Sequence, residues 1–125
     1  IEIKDAYIIN ICIEFEIIVL PNFNNNRVLQ NCITSLQEYF NKDNWQLHQP
    51  IFLKDLFIRL DKIEGVQTVQ NVKIINKVGT SSGYSQYAYD IDAATQKQII
   101  YPSLDPSIFE IRYPNQDIKG RVVPL

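Results

Sequence analysis

The chain has 125 residues, of which 46% are hydrophobic and 21% charged, and a formal net charge of −2. That suffices for one domain with a buried core and is too apolar for a disordered segment. Charges of both signs are scattered without a basic stripe, so nucleic acid is not an expected partner. No apolar run approaches the roughly 20 residues needed to cross a bilayer.

The opening residues Ile1-Glu2-Ile3-Lys4-Asp5 are charged and precede no apolar leader core, so no secretory signal is expected. The sequence contains no methionine, and we read it as part of a longer polypeptide. Ile8 to Leu20 alternates until Ile18 and Leu20. Ile9, Ile11, Ile13, Phe15, Ile17 and Val19 form an apolar face, whereas Asn10, Cys12, Glu14 and Glu16 lie opposite. Such a period of two predicts a strand with one buried face. Pro21 ends it, and Asn22–Asn26 reads as a turn and helix start.

Leu29, Cys32, Ile33, Leu36 and Phe40 then recur at helical spacing, flanked by Val28 and Tyr39. The helix is expected to stop near Asn41, with Lys42–His48 as a loop carrying Trp45. Pro50–Leu53 reads as a short extended piece. A second helix carries Leu56, Phe57, Leu60 and Ile63, with Gly65 as its left-handed stop. Ile58 lies on that helix's polar face. Val66–Lys77 reads as a strand whose apolar phase shifts, which calls for a bulge near Gln70-Asn71.

Beyond Lys77 the composition changes. Val78–Gln86 has linker character, and residues 78–125 together hold five of the seven tyrosines and four of the six prolines. Alternation returns in Ile108–Tyr113 and Ile118–Val123, with Pro114–Asp117 between them as a hairpin loop. Tyr87–Ile91 and Gln98–Tyr101 are expected to form another ribbon. The predicted fold is α+β: a small two-layer sandwich (β-α-β-α-β, both helices on the odd face of the first strand) over residues 1–77. An extended β-hairpin arm over 78–125 follows, packing on the sandwich or on a partner. Cys12 and Cys32 then fall on opposite sides of one sheet and are expected to be free buried thiols.

Candidates for chemistry are sparse. His48 is the single histidine, in a Gln-rich loop. Asp90-Ile91-Asp92 lacks the glycine and later glutamate of a calcium loop and reads as the polar face of a strand. Glu14 and Glu16 read as solvent- or partner-facing carboxylates. Gly79-Thr80-Ser81-Ser82-Gly83 lacks the Lys-Ser/Thr and helix start of a phosphate loop. We therefore expect no enzyme, no metal and no cofactor. A Tyr- and Ile-rich strand arm without a covering helix points instead to partner binding.

Asn44-Trp45-Gln46-Leu47-His48-Gln49-Pro50-Ile51 and Ile63-Glu64-Gly65-Val66-Gln67-Thr68-Val69 resemble the C-terminal domain of Baseplate J-like proteins, the wedge proteins of contractile phage tails. Gly83-Tyr84-Ser85, Tyr89-Asp90-Ile91, Ile99-Ile100-Tyr101-Pro102-Ser103-Leu104-Asp105-Pro106-Ser107-Ile108-Phe109-Glu110, Arg112-Tyr113-Pro114 and Asp117-Ile118-Lys119-Gly120-Arg121-Val122-Val123 are similar to the extreme C-terminus of the large wedge subunit of myovirus phages. The long Tyr-Pro-Ser-Leu-Asp-Pro-Ser run is the most specific part. The resemblance implies a virion protein of the tail baseplate, assembled in the host cytoplasm. Its partners would be its own copies, as a homodimer within the inner ring, and other wedge proteins. The ring holds the tail in its high-energy state and relays the signal for sheath contraction. Ile58, Tyr101, Pro102, Leu104, Phe109, Ile111 and Tyr113 are the expected interface. The rivals are a carbohydrate- or receptor-binding module at a tail tip, which predicts exposed tyrosines around a groove, and a small hydrolase, which predicts Asp90, Asp92 and His48 converging.

Overall fold

A computed structural model describes residues 7–41 and 43–124; the opening Ile1–Asp5, read above as charged and leaderless, and Lys42 of the predicted loop lie outside the described residues. The centre of the fold is strand β1 (Tyr7–Val19). Its odd residues Ile9, Ile11, Ile13, Phe15 and Ile17 are at most 2% exposed, as the alternation predicts.

Helix α1 (Asn25–Tyr39) begins where the Asn24 side chain accepts the backbone N–H of Arg27 at 3.0 Å. It buries Val28, Cys32 and Leu36. Strand β2 (Ile51–Phe52) leads directly into helix α2 (Leu53–Asp61), which buries Leu56 and Leu60. Both helices join one core with the odd face of β1, and the Arg59 guanidinium ties them by donating to the Ser35 carbonyl at 2.9 Å. Gly65, at φ 97°, turns the chain into strand β3 (Val66–Asn76). A Cβ there would lie 2.7 Å from Val28 Cγ2, so both the backbone angle and the space call for glycine.

β3 pairs antiparallel with β1. The register slips between Glu16 and Ile17, which face Asn71 and Val69 and leave Gln70 unmatched. This is the bulge that the phase shift predicts, and it lets Val69 and Val72 share the helix-facing side. A second slip, between Ile18 and Val19, leaves Gln67 unmatched.

The α+β class holds, and the later residues supply a C-terminal strand arm: helix α3 (Ile91–Ala94), strands β4 (Thr95–Gln96), β5 (Ile99–Ile100), β6 (Ser107–Glu110) and β7 (Ile118–Val122). Three pairings differ from expectation. β6 and β7 do not pair with each other. Both run parallel to β1, β6 along Tyr7–Asn10 and β7 along Ile13–Ile17. The turn at Pro114–Asp117, where Asp117 N–H donates to Tyr113 O at 2.8 Å, carries the chain onward along β1 instead of reversing it. Alternation identifies the buried face of a strand, not its neighbour. Second, β2 leaves the main sheet and forms a small one in the order β2-β5-β4. Third, the predicted Tyr87–Ile91 ribbon is replaced by α3 and a β4–β5 hairpin, whose connection Lys97-Gln98 has φ 52° and 65°. Positive φ at both central residues matches the twist of paired strands. Asp90 is not on a strand; its side chain caps α3, accepting Ala93 N–H at 3.0 Å.

Phe109, Ile111 and Ile118 enter the same core as β1 and the helices. The arm therefore completes the sandwich within its own chain.

Candidate partner-binding surface

Asn10 organises the arm. It is 1% exposed on the even face of β1, among isoleucines. Its amide nitrogen donates to Glu110 Oε1 at 2.8 Å, and its amide oxygen accepts Ser85 N–H at 2.7 Å. Its carbonyl accepts both the Asn76 amide and the Lys77 N–H at 2.8 Å. Asn76 in turn accepts Tyr89 N–H at 2.8 Å. An irregular segment, residues 84–89, is thus held by side chains of β1 and β3, because backbone groups lacking a strand partner need another one.

The tyrosines of this segment serve the fold. Tyr87 stacks on Tyr7, ring centroids 4.5 Å apart, and Tyr89 follows at 6.2 Å, tilted against Phe109. Tyr84 meets Tyr113 edge to face, and its hydroxyl donates to the carboxylate of Asp117, a 2% exposed residue, at 2.9 Å. Burial, and next this hydrogen bond, push Tyr84 up to about 12 from the ordinary 10.0. Burial shifts Tyr39 and Tyr89 the same way. A raised folded-state value means that stability from the neutral phenol is fully present below pH 10.0 and declines as pH climbs toward about 12. Melting temperatures followed across that window should fall less steeply for Tyr84→Phe than for the wild type. Parallel curves would show that Tyr84 does not couple to folding.

The stack supports the loop Tyr101–Pro106. Ser103 Oγ accepts the Tyr87 hydroxyl at 3.1 Å and Asp105 N–H at 3.2 Å. The Tyr89 hydroxyl donates to Tyr101 O at 2.7 Å, and Tyr7 N–H donates to Pro106 O at 2.7 Å. Opposite, His48 at φ 61° donates its N–H to Ser107 O at 2.9 Å, and its Nε2 lies 3.2 Å from Asp105 O. Leu104 stands at the tip of this clamped loop, fully exposed. Beside it an open groove of roughly 550 Å³ is lined by His48, Tyr89, Gln96, Tyr101, Pro102 and Ser103, among others.

The seven expected interface residues separate. Tyr101 (45% exposed) and Leu104 sit on the loop with half-buried Pro102, while Ile58 (42% exposed) is on the outer side of α2. Phe109 and Ile111 are 2% and 7% exposed and belong to their own core, which they enter from β6 and the residue that follows it. Tyr113 is half-buried against Tyr84. Asn10, the hub, was not among them. Its signal in the sequence is a lone amide flanked by isoleucines, in the half of β1 that carries no charge.

The residues considered for chemistry lie apart. The groove that His48 lines contains neither Asp90 nor Asp92. Glu14 sits between Lys73 and Lys119, and Glu16 between Asn71 and Arg121, with which it forms an ion pair, on the open face of the sheet. Cys12 and Cys32 are free and buried, and burial pushes the Cys32 thiol up to about 11. Among the described residues, no group of three or more His, Cys, Asp or Glu side chains is placed to hold a metal ion. No helix of the described residues is long and apolar enough to cross a membrane. Comparisons with protein-family models and with curated proteins return no match to this chain.

Proposed function

We propose that this chain is the C-terminal oligomerising part of a large baseplate wedge subunit of a contractile-tailed phage. In that role it stands in the inner ring of the baseplate, bound to its own copies and to other wedge proteins, and helps relay the signal for sheath contraction. The observation that carries the proposal is the Tyr101–Pro106 loop. The run Tyr101-Pro102-Ser103-Leu104-Asp105-Pro106-Ser107, where the resemblance to wedge subunits is most specific, is also where a fully exposed leucine is held at the tip of a clamped loop. A scattered exposed leucine needs no explanation. One on a loop already fixed by hydrogen bonds at both ends loses little further freedom on docking, which favours its use as an anchor.

Leu104→Asp in the complete virion protein should leave folding within about 0.5 kcal/mol, because the side chain touches nothing that supports the loop. It should also block attachment of wedges to one another, leaving particles without complete baseplates in electron micrographs. Gold-labelled antibody against this chain should mark the baseplate ring. Infectious Leu104→Asp particles with intact baseplates would sink the role given to the loop.

A second reading, a carbohydrate- or receptor-binding module at a tail tip, draws on the groove beside that loop, where half-exposed Tyr101 borders Gln96 and His48. Gold at fibre tips would favour it. Against it, the Tyr87 and Tyr89 hydroxyls are engaged within the chain.

A further inference from the structure

β3 is an edge strand. Among the described residues it pairs with β1 alone, on one side. Among the described residues, the backbone of Gln67–Ile75 makes no hydrogen bond to any segment other than β1. Unpaired edges invite pairing with another chain, and folded proteins commonly guard them with charge, proline or bulges. From Val66 to Val72 this edge carries two bulges, at Gln67 and Gln70, but no charge and no proline. Beside it, Phe57, Ile58 and Asp61 of α2 and Thr68 and Val69 of β3 line a shallow cleft, and Ile58 is 42% exposed.

We infer that β3 pairs antiparallel with β3 of a second copy across a two-fold axis, joining two sheets into one, with the α2 helices side by side over the joint.

The charge pattern favours a second copy over a different partner. A two-fold contact sets each residue near its own counterpart, so a charge at its centre repels itself. The uncharged run Val66–Val72 avoids this. On α2, Lys54, Ile58 and Asp61 share one stripe, four residues before and three after the centre. In an antiparallel α2–α2 contact about Ile58, Lys54 of each copy lies beside Asp61 of the other, so opposite charges flank the apolar centre. The slips at Gln67 and Gln70 bend the strand, and a second copy brings the same bend.

This inference locates the self-association of the proposed wedge subunit. It rests on that reading only in holding that copies meet; it places their contact on the edge of the sheet opposite the arm and leaves the Leu104 loop to the other wedge proteins.

The test is light scattering after size exclusion across a concentration series, on wild type, Gln70→Lys and Ile58→Lys. The wild type should pass from monomer to twice that mass. Each lysine should weaken association at least tenfold, with unchanged circular dichroism. Hydrogen exchange on the wild type guards against a variant that misfolds: amides of Gln67–Lys73 should exchange at least tenfold more slowly when concentrated than when dilute. A dimer indifferent to both lysines, or with β3 amides equally fast at both concentrations, overturns the inference. A strict monomer overturns it too. In either case a baseplate defect from Leu104→Asp leaves the wedge reading standing, so the two can fail separately.

Discussion

A valine at position 120 should lower the melting temperature of this chain by roughly 10 °C or more, corresponding to about 3 kcal/mol. Gly120 sits in β7 directly opposite Phe15 of β1, on the side facing α1. A Cβ built there would run into the ring of Phe15 and lie 2.7 Å from Leu29 Cδ1. Phe15 is 2% exposed and half-buried Leu29 packs against the same core, so relieving the overlap means displacing packed side chains. Valine is otherwise a favourable strand residue, but that preference is worth at most about 1 kcal/mol and loses to the overlap. Gly120→Ala should show a smaller loss of the same sign. Combining Gly120→Val with Phe15→Leu should recover part of it, because the two positions compete for one space. If Gly120→Val melts with the wild type, the close approach of β7, β1 and α1 is wrong.

Asn10→Leu is expected to destabilise the fold by a comparable amount, about 3 kcal/mol, although the side chains are nearly the same size. Leucine offers no acceptor to Ser85 N–H and no donor to Glu110, both of which meet the Asn10 amide in the folded chain. Removing one partner from a buried hydrogen-bonded set leaves the others desolvated and unmet, which outweighs the apolar surface gained. The loss should be local before it is global: the Ser85 amide should exchange faster, and protease should enter near Gly83 under conditions where β1 remains protected. Unchanged exchange at Ser85 would mean that the segment 84–89 is held by its aromatic contacts instead.

What the sequence made legible follows from period and local chemistry. The isoleucines of β1, the Asn24 cap and the stripe through Cys32 and Leu36 depend on residues within a turn or two of each other. The bulge at Gln70 was legible because a strand whose apolar residues change parity must insert a residue somewhere. The arm was harder to read. Its segment 84–89 takes its shape from Asn10, 75 positions from Ser85, and no local pattern encodes such a bond. The tyrosine spacing there suggests a strand, whereas Asp90 nucleates a helical turn instead. Likewise Phe109 and Ile111 alternate as interface residues would, but the same alternation serves a strand pressed against its own core. Ile58, Tyr101 and Leu104 are exposed in the fold, and their exposure could be judged only once the helices and the loop had neighbours.

The two edges of β1 also reach completion at different times. The antiparallel side is closed by β3, but the other waits for β6 and β7, and Glu110 lies 100 positions beyond its partner Asn10. On a ribosome adding about 5–20 residues per second, β1, both helices and β3 emerge seconds before the strands that cover that flank. During this interval the isoleucine-rich strand β1 presents bare backbone on that flank. A nascent chain halted near residue 100 should therefore be held by chaperones or aggregate, and release should follow once β7 has left the exit tunnel.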